Sequence, residues 1–145
     1  MDVTPLIMDV FPDSYQNAPD FDHSVSLTIG DKAIAHVGMT FQFIEVREGT
    51  FKIAAIGYVA TAEHWRHRGL MDSLMEVAKE QARRAGCDWA LLATDIKGLY
   101  EPLGFHHYRN LNATSLACCL GGRNWPADPI KIVDKGAWTN WNEPA

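Results

Sequence analysis

Between Ala33 and Thr94 the spacing of apolar residues changes period twice, and this change restricts the fold more than any other feature of the chain. Ala33, Ala35, Val37, Met39, Phe41 and Phe43 recur at every second position, which predicts a strand with one apolar face. "TFKIAAIGYVATA" (50–62) is apolar on both faces, as a strand inside a sheet must be. Leu70, Met71, Leu74, Met75, Val77, Ala78, Ala82 and Ala85 then recur at helical spacing. Gly86 stands where a left-handed residue would end that helix, and Arg83 and Arg84 suit the negative end of its dipole. "CDWALLAT" (87–94) returns to a short apolar run. A strand, a helix and a buried strand in this order predict two parallel strands joined by a crossover.

The flanking segments fit around this unit. "SVSLTIGDKAIAHVGMTF" (24–41) reads as two strands joined at Gly30-Asp31, a tight-turn dipeptide, and Gly49 closes the second. "DIKGLYEPLGF" (95–105) reads as a short helix opened by Asp95 and stopped at Gly104. "FHHYRN" (105–110) and "ATSLACCL" (113–120) read as two further strands, the first with one histidine facing in and one facing out. Residues 1–25 read as irregular, with one short strand at Leu6–Phe11. Residues 121–145 read as a coil tail, with Trp138 and Trp141 as anchors. One α/β (α+β) domain over 1–145 is expected, with its core at 26–120, and 145 residues suffice for a sizeable core.

Composition excludes several classes. A formal net charge of −5 argues against a nucleic-acid partner. No apolar run reaches the ~18–20 residues that span a bilayer, and the acidic N-terminus lacks a secretory pattern, so a cytoplasmic protein is expected. The three cysteines, Cys87, Cys118 and Cys119, have no metal-ligand spacing and read as reduced, mostly buried thiols. No metal is expected.

The stretch "EHWRHRGLMDSLMEV" (63–77) sets Arg66, His67, Arg68 and Gly69 at the mouth of the predicted helix. Unpaired amides and partial positive charge at a helix start form a natural anion site. Taken alone, the stretch reads rather as a solvated basic turn before a helix.

In context, "VATAEHWRHRGLM", the helix, the buried strand and "GLYEPLGF" together resemble the GNAT superfamily of N-acyltransferases over residues 26–120. The family's cofactor loop, Gln/Arg-x-x-Gly-x-Gly/Ala, is matched by Arg66-His67-Arg68-Gly69-Leu70-Met71, with Met71 in place of a small residue. Its later signature, a Tyr four residues before Gly-Phe, is matched by Tyr100, Gly104 and Phe105. Ala35-His36, Gly57-Tyr58-Val59 and Trp65-Arg66 are in addition similar to the aminoglycoside 2′-N-acetyltransferases and the nodulation acyltransferases.

The resemblance implies a mixed, mostly antiparallel sheet with a splayed central parallel pair. It also implies acetyl-CoA as co-substrate, with transfer of the acetyl group to a primary amine of an aminoglycoside-like molecule or a peptide. Val59, Ala60 and Thr61 would bind the pantetheine arm, and an N–H of that strand would polarise the thioester carbonyl. Arg66, His67, Arg68, Gly69, Leu70 and Met71 would hold the pyrophosphate, and Tyr100 would protonate the departing sulfur.

Two departures from the family pattern are visible. The strand before the loop holds no carboxylate, so the general base stays open among His36, Glu45, Asp95, His106 and a water relay; a hydrogen-bonded structural role fits His36 better. The segment before the first confident strand is short for the family's N-terminal helices, so a homodimer, the tail or an open cleft would complete the acceptor side. A catalytically silent acyl-CoA-binding module and an enzyme using a longer acyl donor are the alternatives.

Overall fold

The structure, a computed structural model, describes residues 5, 6, 10 and 21–134. Trp138, Trp141 and most of the N-terminal segment lie outside the described residues. The elements are β1 (His23–Ile29), β2 (Lys32–Val46), β3 (Gly49–Thr61), α1 (Leu70–Arg84), β4 (Trp89–Ala93), β5 (Ser115–Cys119) and β6 (Lys131–Asp134). They form one six-stranded sheet of order β1-β2-β3-β4-β5, with β6 also paired to β2. Among the described residues only β3 and β4 pair parallel; every other pair is antiparallel. Gly30 takes φ +62 in the β1–β2 turn, a conformation that favours glycine.

Strand alternation divides the core into two layers. Ala54, Ile56, Ala90 and Leu92 pack with Leu74, Met75, Ala78 and Ala82 of α1. On the opposite face Ile53, Ala55, Trp89 and Leu91 meet Ile44, Trp125, Ile130 and Ile132. Cys118 and Cys119 accordingly fall on different faces, and all three thiols are free. No described helix is long and apolar enough to cross a membrane.

The structure corrects several expectations. The single crossover helix covers one face of the sheet, so the other needs apolar cover from elsewhere. Part of the tail supplies it: Trp125, Ile130 and Ile132 are buried there, and Lys131–Asp134 is a strand rather than coil. The apolar alternation of β2 changes face along its length: Phe43 is 39% exposed, while Ile44 and Val46 are buried. Val77 is exposed on α1. Residues 95–105 make one 3₁₀ turn, Glu101–Leu103, not a helix opened by Asp95. Gly98 at φ +83, Gly104 at φ +96 and Pro102 between them interrupt any longer run. "FHHYRN" contributes only an isolated bridge, His106 to Ala117, and both histidines are exposed. Leu6 and Val10 lie in helical backbone, not in a strand.

Gln42 on β2 is fully buried, yet neither side-chain polar atom has a hydrogen-bond partner among the described residues. Burying an amide unpaired costs roughly 1–3 kcal/mol. The near-isosteric Gln42→Met should therefore raise the unfolding free energy by about 1–3 kcal/mol. A denaturant midpoint equal to or below that of the parent would contradict this.

Candidate active site

Pairing of β3 with β4 runs only from Ile53↔Trp89 to Ala55↔Leu91. Beyond it β3 continues to Thr61 without further pairing to β4, so the parallel pair opens. The helix α1 begins across this opening. The result is a cleft of about 650 Å³ lined by Val59, Ala60 and Thr61, the loop from Trp65 to Gly69, the first turn of α1 and Tyr100.

The loop geometry follows from its sequence. A 3₁₀ turn at Glu63–Trp65 ends β3, and Arg66 Nε donates to the Thr61 carbonyl at 2.9 Å, tying the loop to the strand end. The Arg68 guanidinium sits 4.9 Å from the centre of the Trp65 ring. His67 and Gly69 both take positive φ, +63 and +72. A Cβ at Gly69 would meet nothing within 4 Å, so backbone conformation rather than crowding selects glycine there. Leu70, Met71 and Asp72, in the first turn of α1, have amides without intrahelical acceptors. Those of His67, Arg68 and Gly69 make no backbone hydrogen bond among the described residues. Unpaired amides, the helix dipole and two exposed guanidinium groups line the cleft together, a donor set suited to an anion. Met71 is half-buried, packs against the α1 core layer and also lines the cleft.

Tyr100 lines the same cleft. Its ring stands edge-on to Phe105 at 6.1 Å, and its carbonyl accepts from the Leu103 amide at 2.9 Å, closing the 3₁₀ turn. Lys79 of α1, buried, donates to the Leu103 carbonyl at 2.7 Å and fastens that turn to the helix. Burial raises the Tyr100 phenol above its ordinary value, so it keeps its proton at neutral pH.

All ten residues singled out in the sequence for binding or catalysis therefore line one cleft. None of the four side chains considered as a base does so. His36 is fully buried, hydrogen-bonded to the Tyr58 carbonyl and to Ser24, while Glu45, Asp95 and His106 are exposed elsewhere. Sequence reasoning missed Val10, Ile96, Leu99 and Leu103 on the cleft wall. Ile96 and Leu99 are exposed apolar residues in a glycine-broken loop, a signal that pointed to them once the short helix was set aside.

A mixed sheet with an opened parallel pair, facing a basic loop at a helix start, defines a class of acyl-CoA-binding folds. A family model described as an acetyltransferase (GNAT) domain matches residues 9–108, and the chain belongs to that family. Among solved structures it is similar to a GCN5-related N-acetyltransferase from Kribbella flavida, with TM-score 0.62 and 22% identity, covering 72% of this chain and 29% of that one. It is also similar to a GNAT family acetyltransferase from Brucella melitensis in complex with acetyl-CoA, with TM-score 0.59, 16% identity and coverage of 88% and 74%. A third is the GNAT family N-acetyltransferase YhbS from Escherichia coli in complex with CoA, with TM-score 0.61, 14% identity and coverage of 82% and 74%. These likenesses are of fold. The chain spans less than a third of the length of the first structures it matches, 28% to 30%. No curated protein matches the sequence.

Proposed function

We propose that the protein binds acetyl-CoA in this cleft and transfers the acetyl group to a primary amine of a small molecule or peptide. The observation that carries the reading is the convergence of the cradle, the open strand edge and Tyr100 on one cavity of about 650 Å³. The amides of His67–Met71 with Arg66 and Arg68 hold the pyrophosphate. Val59 and Thr61 offer strand-edge peptide groups to the pantetheine amides, with Ala60 lining the cleft between them.

At the reacting end, a neutral amine adds its lone pair to the thioester carbonyl carbon, and the N–H of Val59 holds the oxygen as it gains charge. The carbon–sulfur bond then breaks with its electron pair going to sulfur, and Tyr100 supplies the proton that sulfur takes up. The proton lost by the amine passes to water; β3 carries no carboxylate, none of the four candidate bases lines the cleft, and the carboxylate that does line it, Asp72, stands in the first turn of α1 at the basic loop.

Calorimetric titration with acetyl-CoA, followed by coenzyme A release on a panel of aminoglycosides, polyamines and peptide amines, tests this reading. Arg66→Ala should weaken acetyl-CoA binding by about 10- to 100-fold, the loss of about 1.5–3 kcal/mol from charge-assisted contacts. Tight binding with no turnover on any amine would instead make the chain a silent binding module. No binding at all would remove the proposal.

A further inference from the structure

β3 carries one residue more than β2 opposite the cleft. His36 pairs with Ala60 and Gly38 with Gly57, which leaves Tyr58 and Val59 facing Val37 alone. Tyr58 has φ +47, a left-handed conformation that a non-glycine residue keeps only when its surroundings hold it there. The bulge also inverts the alternation. Ala54 and Ile56 face α1 before it and Val59 after it, while Ala60 turns to Leu6 and Ala33. The Ala62 amide donates to the Ile34 carbonyl and Ala60 pairs with His36, so residues 60 and 62 direct their peptide groups at β2. Those of Val59 and Thr61 are then directed to the side that β4 has left.

His36 lies against this bulge, fully buried, with Phe21 at 5.4 Å from its ring. A Cβ at Gly38 would run into Phe21, so glycine there is what admits the cover. His36 Nδ1 is 2.8 Å from the Tyr58 carbonyl oxygen and Nε2 is 3.1 Å from Ser24 Oγ. A carbonyl only accepts, so Nδ1 carries the hydrogen and donates. Burial lowers the ring's pKa and keeps it neutral, so Nε2 is a bare acceptor and the Ser24 hydroxyl donates to it. The Tyr58 carbonyl and the Val59 N–H belong to one planar trans peptide and point in opposite directions. Holding the carbonyl on His36 aims the N–H into the cleft.

We propose that His36 is a positioning residue, and that its bond to the Tyr58 carbonyl fixes the Val59 amide as the donor to the thioester carbonyl. This inference rests on the acetyl-CoA reading above. It is tested with acetyl-CoA carrying ¹³C at the thioester carbonyl. A hydrogen bond to that oxygen should move the bound carbon resonance downfield of the free value.

His36→Asn places an amide nitrogen near the position of Nδ1 and should keep the shift. His36→Leu should lose most of it, with coenzyme A affinity within about threefold of the parent because the pyrophosphate cradle is untouched. On any amine that is turned over, kcat should fall about 10²-fold, with little change in KM for acetyl-CoA, the usual cost of one oxyanion donor. In the parent, the Val59 amide resonance should move with acetyl-CoA and not with coenzyme A, a measurement that needs no variant. A full shift in His36→Leu, equal loss in the Asn and Leu variants, or an unmoved Val59 amide would overturn the proposal. A parent that binds no acetyl-CoA would fail the acyl-transfer reading instead.

Discussion

Tyr100→Phe should lower kcat for acetyl transfer by about 10²-fold or more while leaving the affinity for acetyl-CoA within a few fold, because general acid catalysis commonly contributes 10²–10⁴. The substitution removes one hydroxyl and keeps the ring that stands against Phe105 at 6.1 Å, so the 3₁₀ turn and the cleft wall stay in place. The pH profile separates this role from packing. Burial raises the phenol above its ordinary value of ~10, so the protonated acid is fully available at pH 7–9 and its alkaline loss falls above that range. Between pH 7 and 9 the parent rate should rise, because the attacking amine must be neutral. The variant should show the same rise from a lower level, without the alkaline fall that Tyr100 imposes. An unchanged kcat would remove Tyr100 from the chemistry and leave it as a wall of the cleft.

The strand–helix–strand unit was legible because its three members differ in period, and a helix start after a strand end constrains the loop between them. The roles of Arg66 through Met71 and of Tyr100 came only with the resemblance to the GNAT family, and what the structure adds is that these residues line one cleft. The bulge was not legible. From Ile53 to Ala60 every residue but Gly57 is apolar or aromatic, so inverting the phase at Tyr58 exposes no polar residue that would betray it. His36 shows the same difficulty from the other side. A histidine among apolar strand residues predicts a hydrogen bond, and the bond exists, but its partner is the backbone of a residue 22 positions away.

β6 was hidden for a different reason. Its four residues sit in a Pro- and Gly-rich stretch, and only the uncovered face of the sheet explains why Ile130 and Ile132 are apolar. The expected helix at 95–105 failed because the capping signals of Asp95 and Gly104 were weighed without Gly98, which takes positive φ between them. The same break leaves Ile96 and Leu99 exposed on the cleft wall.

Trp89→Ala should cost about 3–5 kcal/mol, a large part of the ~5–15 kcal/mol that holds a domain of this size folded. The indole is 1% exposed and meets Phe51 and Trp125 edge-on at 5.2 and 5.1 Å. Its Nε1–H donates to the Arg123 carbonyl at 3.1 Å, which ties the segment before β6 to the body. Trp89 is also the residue of β4 that opens the short parallel register with β3 at Ile53. Because that register is only three pairs long before the strands part, loosening its first pair loosens the wall of the cleft as well as the core. Trp89→Phe keeps a benzene ring in the layer, loses the pyrrole ring and frees the Arg123 carbonyl, which water can reach on an exposed residue, so it should cost less than Trp89→Ala. Ligand linkage connects this loss to the site. At a hundredfold excess over Kd, acetyl-CoA should restore about 2.7 kcal/mol to parent and alanine variant alike if the cleft survives the substitution. Chemical denaturation with and without the ligand reads both quantities. A restoration in the parent that vanishes in Trp89→Ala would show that the aromatic layer behind the sheet holds the strand opening in shape.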